Sequence, residues 1–314
     1  MKTTSRILVT GASGMVGKSL VKRLRDDGYE NLLLPGSREL DNRDQAGVRD
    51  YFRQNTPEFV FHLAGHIGGI KASITRPVEF MYENLVMAMN VIHAAHESEA
   101  VRLMYIGSSC IYPRNCPQPM KEEHMLTGEL EPTNEGYAIA KISGIKLCEY
   151  LHQQHGRDFF SLLPCNLYGF HDHFEPEDSH VLSALIFKMH SAKVSGSPSV
   201  EIWGTGQSRR EFLFADDFAD AMVFFMNYEG SEFPRMMNIG SGEDHTIKEI
   251  ANMVRDVVGY DGELTFNADK PDGMPKKLLD VARARDFGWQ SKIALRDGLE
   301  KSYNWYLENE AVKA

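Results

Sequence analysis

The sequence predicts an α/β fold in which a doubly wound parallel sheet holds a nucleotide and a smaller, discontinuous α/β lobe holds substrate. Three features predict it. Short β-branched and aliphatic runs alternate with helix-like segments through the first half of the 314 residues, the pattern of a parallel sheet covered on both faces. A glycine-rich loop joins the first run to the first helix. From Gly169 the texture turns polar and turn-rich, over His171 to Ser179 and again over Ser191 to Ser199.

Taken in order, Ile7-Leu8-Val9, Leu32-Leu33-Leu34, Phe59 to Leu63 and Leu103 to Ile106 read as buried strands, and Phe160 to Leu163 closes a similar unit. Val16, Leu20 and Leu24 recur at helical spacing, and Met81 to His96 is a long apolar-rich helix. Later come a strand at Val200 to Trp203, a helix from Thr246 to Val258 and a C-terminal helix from Leu295 to Glu308. The expected division is a cofactor domain over 1–170 plus about 212–240, and a substrate lobe over 171–211 and 241–314.

Composition narrows the function classes. A formal net charge of −10 argues against a nucleic-acid partner, which calls for a basic face. A local cluster of Arg and Lys still suits a small anionic ligand. No apolar run approaches the roughly 20 residues of a membrane helix. The chain enters a strand at once, so no signal peptide is expected. Cys110, Cys116, Cys148 and Cys165 lack metal-ligand spacing, and a disulfide framework is not expected in so long a chain. The expectation is a cytoplasmic protein with no metal, no membrane and no nucleic acid.

The loop after the first strand reads Gly11-Ala12-Ser13-Gly14-Met15-Val16-Gly17. Gly11 suits a tight turn, Gly14 a close pyrophosphate and Gly17 close helix–strand packing, which makes the sheet Rossmann-type. Helix N–H groups then face the phosphates. Beyond the second strand Ser37 and Arg38 precede the first carboxylate, Glu39, so a 2′-phosphate, and hence NADP, is favoured over NAD. The plainer reading of Arg38 is a solvated surface residue.

Tyr137 and Lys141 stand four apart on one helix face. A cation beside a phenol is expected to lower its pKa, which suits a general acid for carbonyl reduction. That spacing is also common on ordinary helices. It gains weight by following, in order, the phosphate loop and Gly107-Ser108-Ser109-Cys110-Ile111-Tyr112-Pro113. Ser108 falls on the carboxyl edge of the sheet, where it could hydrogen-bond a substrate carbonyl. Cys110, two residues on, is either a small buried hydrophobe or an acid–base thiol.

Together with Glu131-Pro132-Thr133-Asn134-Glu135, Asn166-Leu167-Tyr168-Gly169, His171-Asp172, Ser179-His180-Val181, Trp203-Gly204, Arg210-Glu211-Phe212-Leu213, Lys270-Pro271-Asp272-Gly273 and Lys277-Leu278-Leu279-Asp280, these stretches resemble the extended short-chain dehydrogenase/reductases, and among them the GDP-L-fucose synthases. The resemblance spans nearly the whole chain. It implies inversion of a GDP-4-keto-6-deoxy sugar at C3 and C5, then reduction at C4 by NADPH. It assigns the inversions to Cys110 and His180, and the reduction to Ser108, Tyr137 and Lys141. A thiol, with an ordinary pKa of about 8.5, can be tuned toward neutrality where a serine cannot.

The same resemblance implies cofactor contacts from the loop Gly11 to Gly17, Ser37, Arg38, Ile106, Gly107, Ser108, Ser109, Tyr137, Lys141, Pro164, Cys165, Asn166, Leu167 and His180. It implies GDP-sugar contacts from Ser109, Cys110, Asn166, Lys188, Trp203, Arg210, Asp272 and Lys277. Ser13 and Ser37 stand where bacterial members often carry arginine, leaving Arg38 as the main cation for a 2′-phosphate. Gly136 and Phe170 stand where proline is common. By fold-level analogy a homodimer would form through Met81 to His96 and Tyr137 to His155. The alternatives are another nucleotide-sugar epimerase or reductase of the superfamily and a non-catalytic NADPH-binding redox sensor.

Overall fold

The computed structural model describes residues 1–174, 180–230, 233–270 and 273–311. The first part of the chain runs β1 (Ile7–Thr10), α1 (Met15–Asp26), β2 (Leu32–Leu33), α2 (Gln45–Asn55), β3 (Phe59–His62), α3 (Ile70–Thr75), α4 (Pro77–Glu97), β4 (Arg102–Ile106), α5 (Glu135–His155) and β5 (Asp158–Pro164). It continues through β6 (Asn166–Tyr168), α6 (Val181–Ser195), β7 (Ser199–Trp203), β8 (Arg209–Phe214), α7 (Ala215–Met226) and β9 (Met236–Ile239). Last come β10 (Asp244–Thr246), α8 (Ile247–Val258), β11 (Glu263–Asn267), β12 (Lys276–Lys277), α9 (Ala282–Asp286) and α10 (Leu295–Asn309).

Six parallel strands form the main sheet in the order β2-β1-β3-β4-β5-β9. Ile7, Leu8 and Val9 are all fully buried. The strands are continuously apolar because helices cover both faces, α1 and α7 packing together on one and α4 with α2 and α5 on the other. The chain order reverses between β1 and β3, which makes their carboxyl ends the expected place for a ligand.

A second core gathers Tyr168, Leu182, Ile186, Met189, Phe212, Phe214, Ile250, Val254 and Tyr303. Around it lie β6, β8, β10 and β12 in one small sheet and β7 with β11 in another. Thr246 caps α8, its Oγ1 accepting from Glu249 N–H at 3.1 Å while the Glu249 carboxylate accepts from Thr246 N–H at 2.7 Å. Strand alternation puts Leu213 in the first core and Phe212 and Phe214 in the second, so β8 is a seam between the lobes. Leu279, Val281, Ala284 and Trp289 return to the first core.

The long helices α4 and α5 pack on each other within the chain. Val78, Tyr82 and Tyr150 remain exposed on them. No described helix is long and apolar enough to cross a membrane.

Candidate active site

Gly11 holds φ of +75°, and a Cβ there would lie 2.8 Å from Ala64 N. A Cβ on Gly17 would lie 2.1 Å from Gly11 O, so helix and loop meet as closely as backbone allows. α1 then starts at Gly14 with no side-chain cap and no acidic residue in its first turn. Ser13 and Gly14 are exposed beside it, and Ala12, Met15 and Val16 are partly so. A dinucleotide diphosphate fits against this helix N-terminus. Ser37 and Arg38 are exposed just past β2, the strand paired with β1.

The second group of residues stands at the ends of β4 and β5. Ser108 follows β4 and begins a short 3₁₀ turn, Ser109–Ile111, with its Oγ accepting from Cys110 N–H at 3.2 Å. Ser109, the first residue of this turn, is buried. Tyr112 fixes the far side: its buried hydroxyl donates to Asn238 Oδ1 on β9 at 2.6 Å. The Ile-Tyr-Pro that follows the thiol therefore anchors it. α5 brings Tyr137 and Lys141 to the same edge. Lys141 Nζ donates to Ile106 O at 2.9 Å and lies 5.7 Å from the Tyr137 ring centre. Pro164 and Cys165 are buried at the end of β5, and Leu167 is partly buried. Asn166 donates its Nδ2 to Glu211 O at 2.8 Å, so its amide ties β6 to β8.

The titration of this edge corrects one expectation from sequence. Lys141 does not lower the Tyr137 phenol; burial raises it well above its ordinary 10, with Cys110 adding to the rise. Burial also drives Lys141 itself down to about 7. A phenol that keeps its proton at neutral pH is in the state a proton donor needs. At Cys110 burial acts to raise the thiol, but Lys277, Ser108 and Asn134 outweigh it and hold the pKa below its ordinary value. The other three cysteines are buried, and all four are free thiols.

His180 sits at the N-terminal boundary of α6 with Nδ1 3.5 Å from Asp172 Oδ1. Asp172 raises the imidazole pKa against the opposing pull of burial. Asp172 is itself fixed by Ser183 Oγ and by the N–H of His173 at 2.9 Å.

From the smaller lobe, Lys277 on β12 lies in register with Arg210 on β8 and reaches across to Cys110, Nζ to Sγ 3.5 Å. Arg210 donates to Met274 O at 2.6 Å, while its neighbour Arg209 forms an ion pair with Asp244. Trp203 is 58% exposed with two ammonium groups near its ring, Lys188 at 5.9 Å and Lys270 at 5.3 Å from its centre. Asp272 lies outside the described residues.

Three participants escaped the sequence reading. Asn134, only part of a motif in the sequence, donates Nδ2 to Cys110 Sγ at 3.2 Å. His62, which reads as a strand end, is fully buried at the switch point, with Nδ1 2.7 Å from Thr10 Oγ1 and its ring stacked on Tyr105. Burial, with Lys141 adding, lowers His62 to about 3, so it supports the site as a neutral ring. Asn84 on α4 binds the backbone of His66 in both directions and so fixes the loop after β3, where a Cβ on Gly65 would lie 3.9 Å from Lys141 Nζ.

Sheet, phosphate loop and buried Tyr–Lys pair define a dinucleotide-dependent enzyme of the oxidoreductase and epimerase type. A model of the NAD dependent epimerase/dehydratase family matches residues 7–240, and the chain belongs to that family. It is 48% identical over 307 residues to GDP-L-fucose synthase 1 of Arabidopsis thaliana, covering 98% of this chain and 94% of that one. It is 44% identical over 312 residues to GDP-L-fucose synthase of Escherichia coli strain K12, covering 97% of each. Among solved structures, a GDP-mannoheptose C4 reductase from Campylobacter jejuni with NADP bound superposes with a TM-score of 0.90 at 37% identity, covering 98% of this chain and 99% of that one.

Proposed function

We propose that the protein is a bifunctional epimerase and NADPH-dependent reductase that converts GDP-4-keto-6-deoxy-D-mannose to GDP-L-fucose. The observation that carries this reading is a lowered thiol, Cys110, held by Asn134 and Lys277 and coupled to the Tyr137–Lys141 pair. A plain reductase or 4-epimerase has no use for such a thiol, whereas inversion next to a ketone requires a base on one face and an acid on the other.

The residues divide the work as their environments dictate. Cys110, lowered, takes a proton from the carbon next to the ketone, and the electron pair moves onto the ketone oxygen as an enolate. His180, raised by Asp172, returns a proton to the opposite face. Tyr137, protonated at neutral pH, gives its proton to the C4 oxygen during reduction, with Ser108 and Lys141 holding the phenol and the carbonyl. NADPH, when bound, supplies the hydride for C4. The residues suited to hold it are the Gly11 to Gly17 loop, Ser37 and Arg38 for the 2′-phosphate, Ile106 to Ser109, and Pro164 to Leu167. For the GDP-sugar they are Arg210 and Lys277, with Lys188 and Trp203 farther out.

The lobes divide as cofactor domain and substrate lobe, and the setting is a cytoplasmic homodimer. Support for the dimer is the exposed apolar surface of α4 and α5. A second reading is reduction of a related GDP-4-keto sugar, favoured by the likeness to the C4 reductase. Purified protein with GDP-4-keto-6-deoxy-D-mannose and NADPH in D2O separates the two. GDP-L-fucose labelled at C3 and C5 supports the proposal; an unlabelled, non-epimerised product sinks it.

A further inference from the structure

Two side chains donate toward the sulfur of Cys110 from opposite lobes. Asn134, the last residue of the 3₁₀ turn Pro132–Asn134 that leads into α5, places Nδ2 3.2 Å from Sγ. Lys277, at the end of β12, places Nζ 3.5 Å from it. The backbone N–H of Cys110 is committed to Ser108. The sulfur therefore faces an amide donor and an ammonium, surroundings that favour S⁻ over S–H. The other titratable groups coupled to it are Tyr137 and Lys141 on α5. A neutral phenol adds no opposing charge, and Lys141, which donates to Ile106 O, also favours the thiolate through its charge when protonated.

We propose that Asn134 and Lys277 are positioning residues that hold Cys110 as a thiolate before substrate arrives, so that the base is assembled across the seam between the lobes. The use of that base in proton abstraction rests on the function proposed above. In that step the thiolate takes a proton from carbon and becomes a thiol, the electron pair passes to the ketone oxygen, and Lys277 is not consumed. This differs from a role for Lys277 in anchoring the GDP-sugar alone, which would raise KM and leave the thiol's titration unchanged.

The test is the pH dependence of Cys110 alkylation by iodoacetamide in the full chain saturated with NADP, without sugar nucleotide, read on the Cys110 peptide by mass spectrometry. The wild-type midpoint is expected below the ordinary thiol value of about 8.5. In Lys277→Met it should rise by about one unit, slowing alkylation near neutrality about tenfold. Lys277→Arg should restore it. Asn134→Asp, nearly isosteric but anionic, should raise the midpoint too, and it decides the matter if Lys277→Met does not fold. A wild-type midpoint at or above the ordinary value, or one unmoved by both substitutions, overturns the proposal. A wild-type protein that takes up no deuterium from D2O into the sugar would sink the proposed function, while the titration would still report on the thiolate.

Discussion

The edge of the large sheet and the facing residues of the smaller lobe set their chemistry by different means. On the sheet edge burial dominates: it raises Tyr137, lowers Lys141 to about 7 and lowers His62 to about 3. Across the seam pairing dominates, as Asp172 raises His180 against burial. Cys110 belongs to the first region by position and to the second by behaviour, because Lys277 crosses the seam to it. Groups tuned by burial depend on the fold as a whole, whereas groups tuned by a partner can be altered singly.

The largest effect is expected from Tyr137→Phe, which removes the proposed proton donor while leaving Cys110 and His180 in place. NADPH consumption should fall about 10²- to 10⁴-fold, while deuterium still enters the sugar from D2O. Equal loss of both would erase the division of labour between the regions.

Next comes Asp172→Asn, which removes the partner of His180. Without the carboxylate the imidazole loses its raised pKa, so the alkaline limb of the epimerisation profile should move to lower pH. The stability effect has a definite sign. A histidine raised in the folded state adds stability below its unfolded value of about 6.5 and loses it as pH rises through the folded value. The denaturation gap between wild type and variant should be widest below about pH 6.5 and narrow as pH rises through the folded value.

Smaller still is Tyr112→Phe, which leaves Asn238 Oδ1 buried without its donor. Unfolding stability should drop by about 1–3 kcal/mol in denaturant titration, with a looser Cys110 turn. Thr246→Ala, on the outer lobe, should cost about 1 kcal/mol through the lost cap of α8 and leave the chemistry alone. A loss of activity there would mean the lobes are more tightly coupled than the seam at β8 suggests.

Much of the first region was legible in the sequence because its signals are local. Ile7 to Val9, the Gly11 to Gly17 loop and the Tyr137–Lys141 spacing each lie within one short stretch. Thr246 to Val258 was legible because the cap and the apolar period agree. The partners of Cys110 were not, since Asn134 and Lys277 lie 24 and 167 residues away and meet it only in the fold. The direction of the Tyr137 shift was missed for the same reason: sequence displays the nearby cation but not the burial that raises the phenol. His62 was legible as part of a buried strand, but its role was not, because only the neighbouring strands bring its ring to Thr10 and Tyr105.

The most direct test compares deuterium uptake with NADPH consumption in Cys110→Ser protein given GDP-4-keto-6-deoxy-D-mannose. The expected result is an uptake at C3 and C5 lowered at least about 10²-fold while reduction continues on the non-inverted sugar. Undiminished uptake would contradict the assignment of the thiol as the base, and with it the division between a buried reducing edge and a partner-tuned inverting pair.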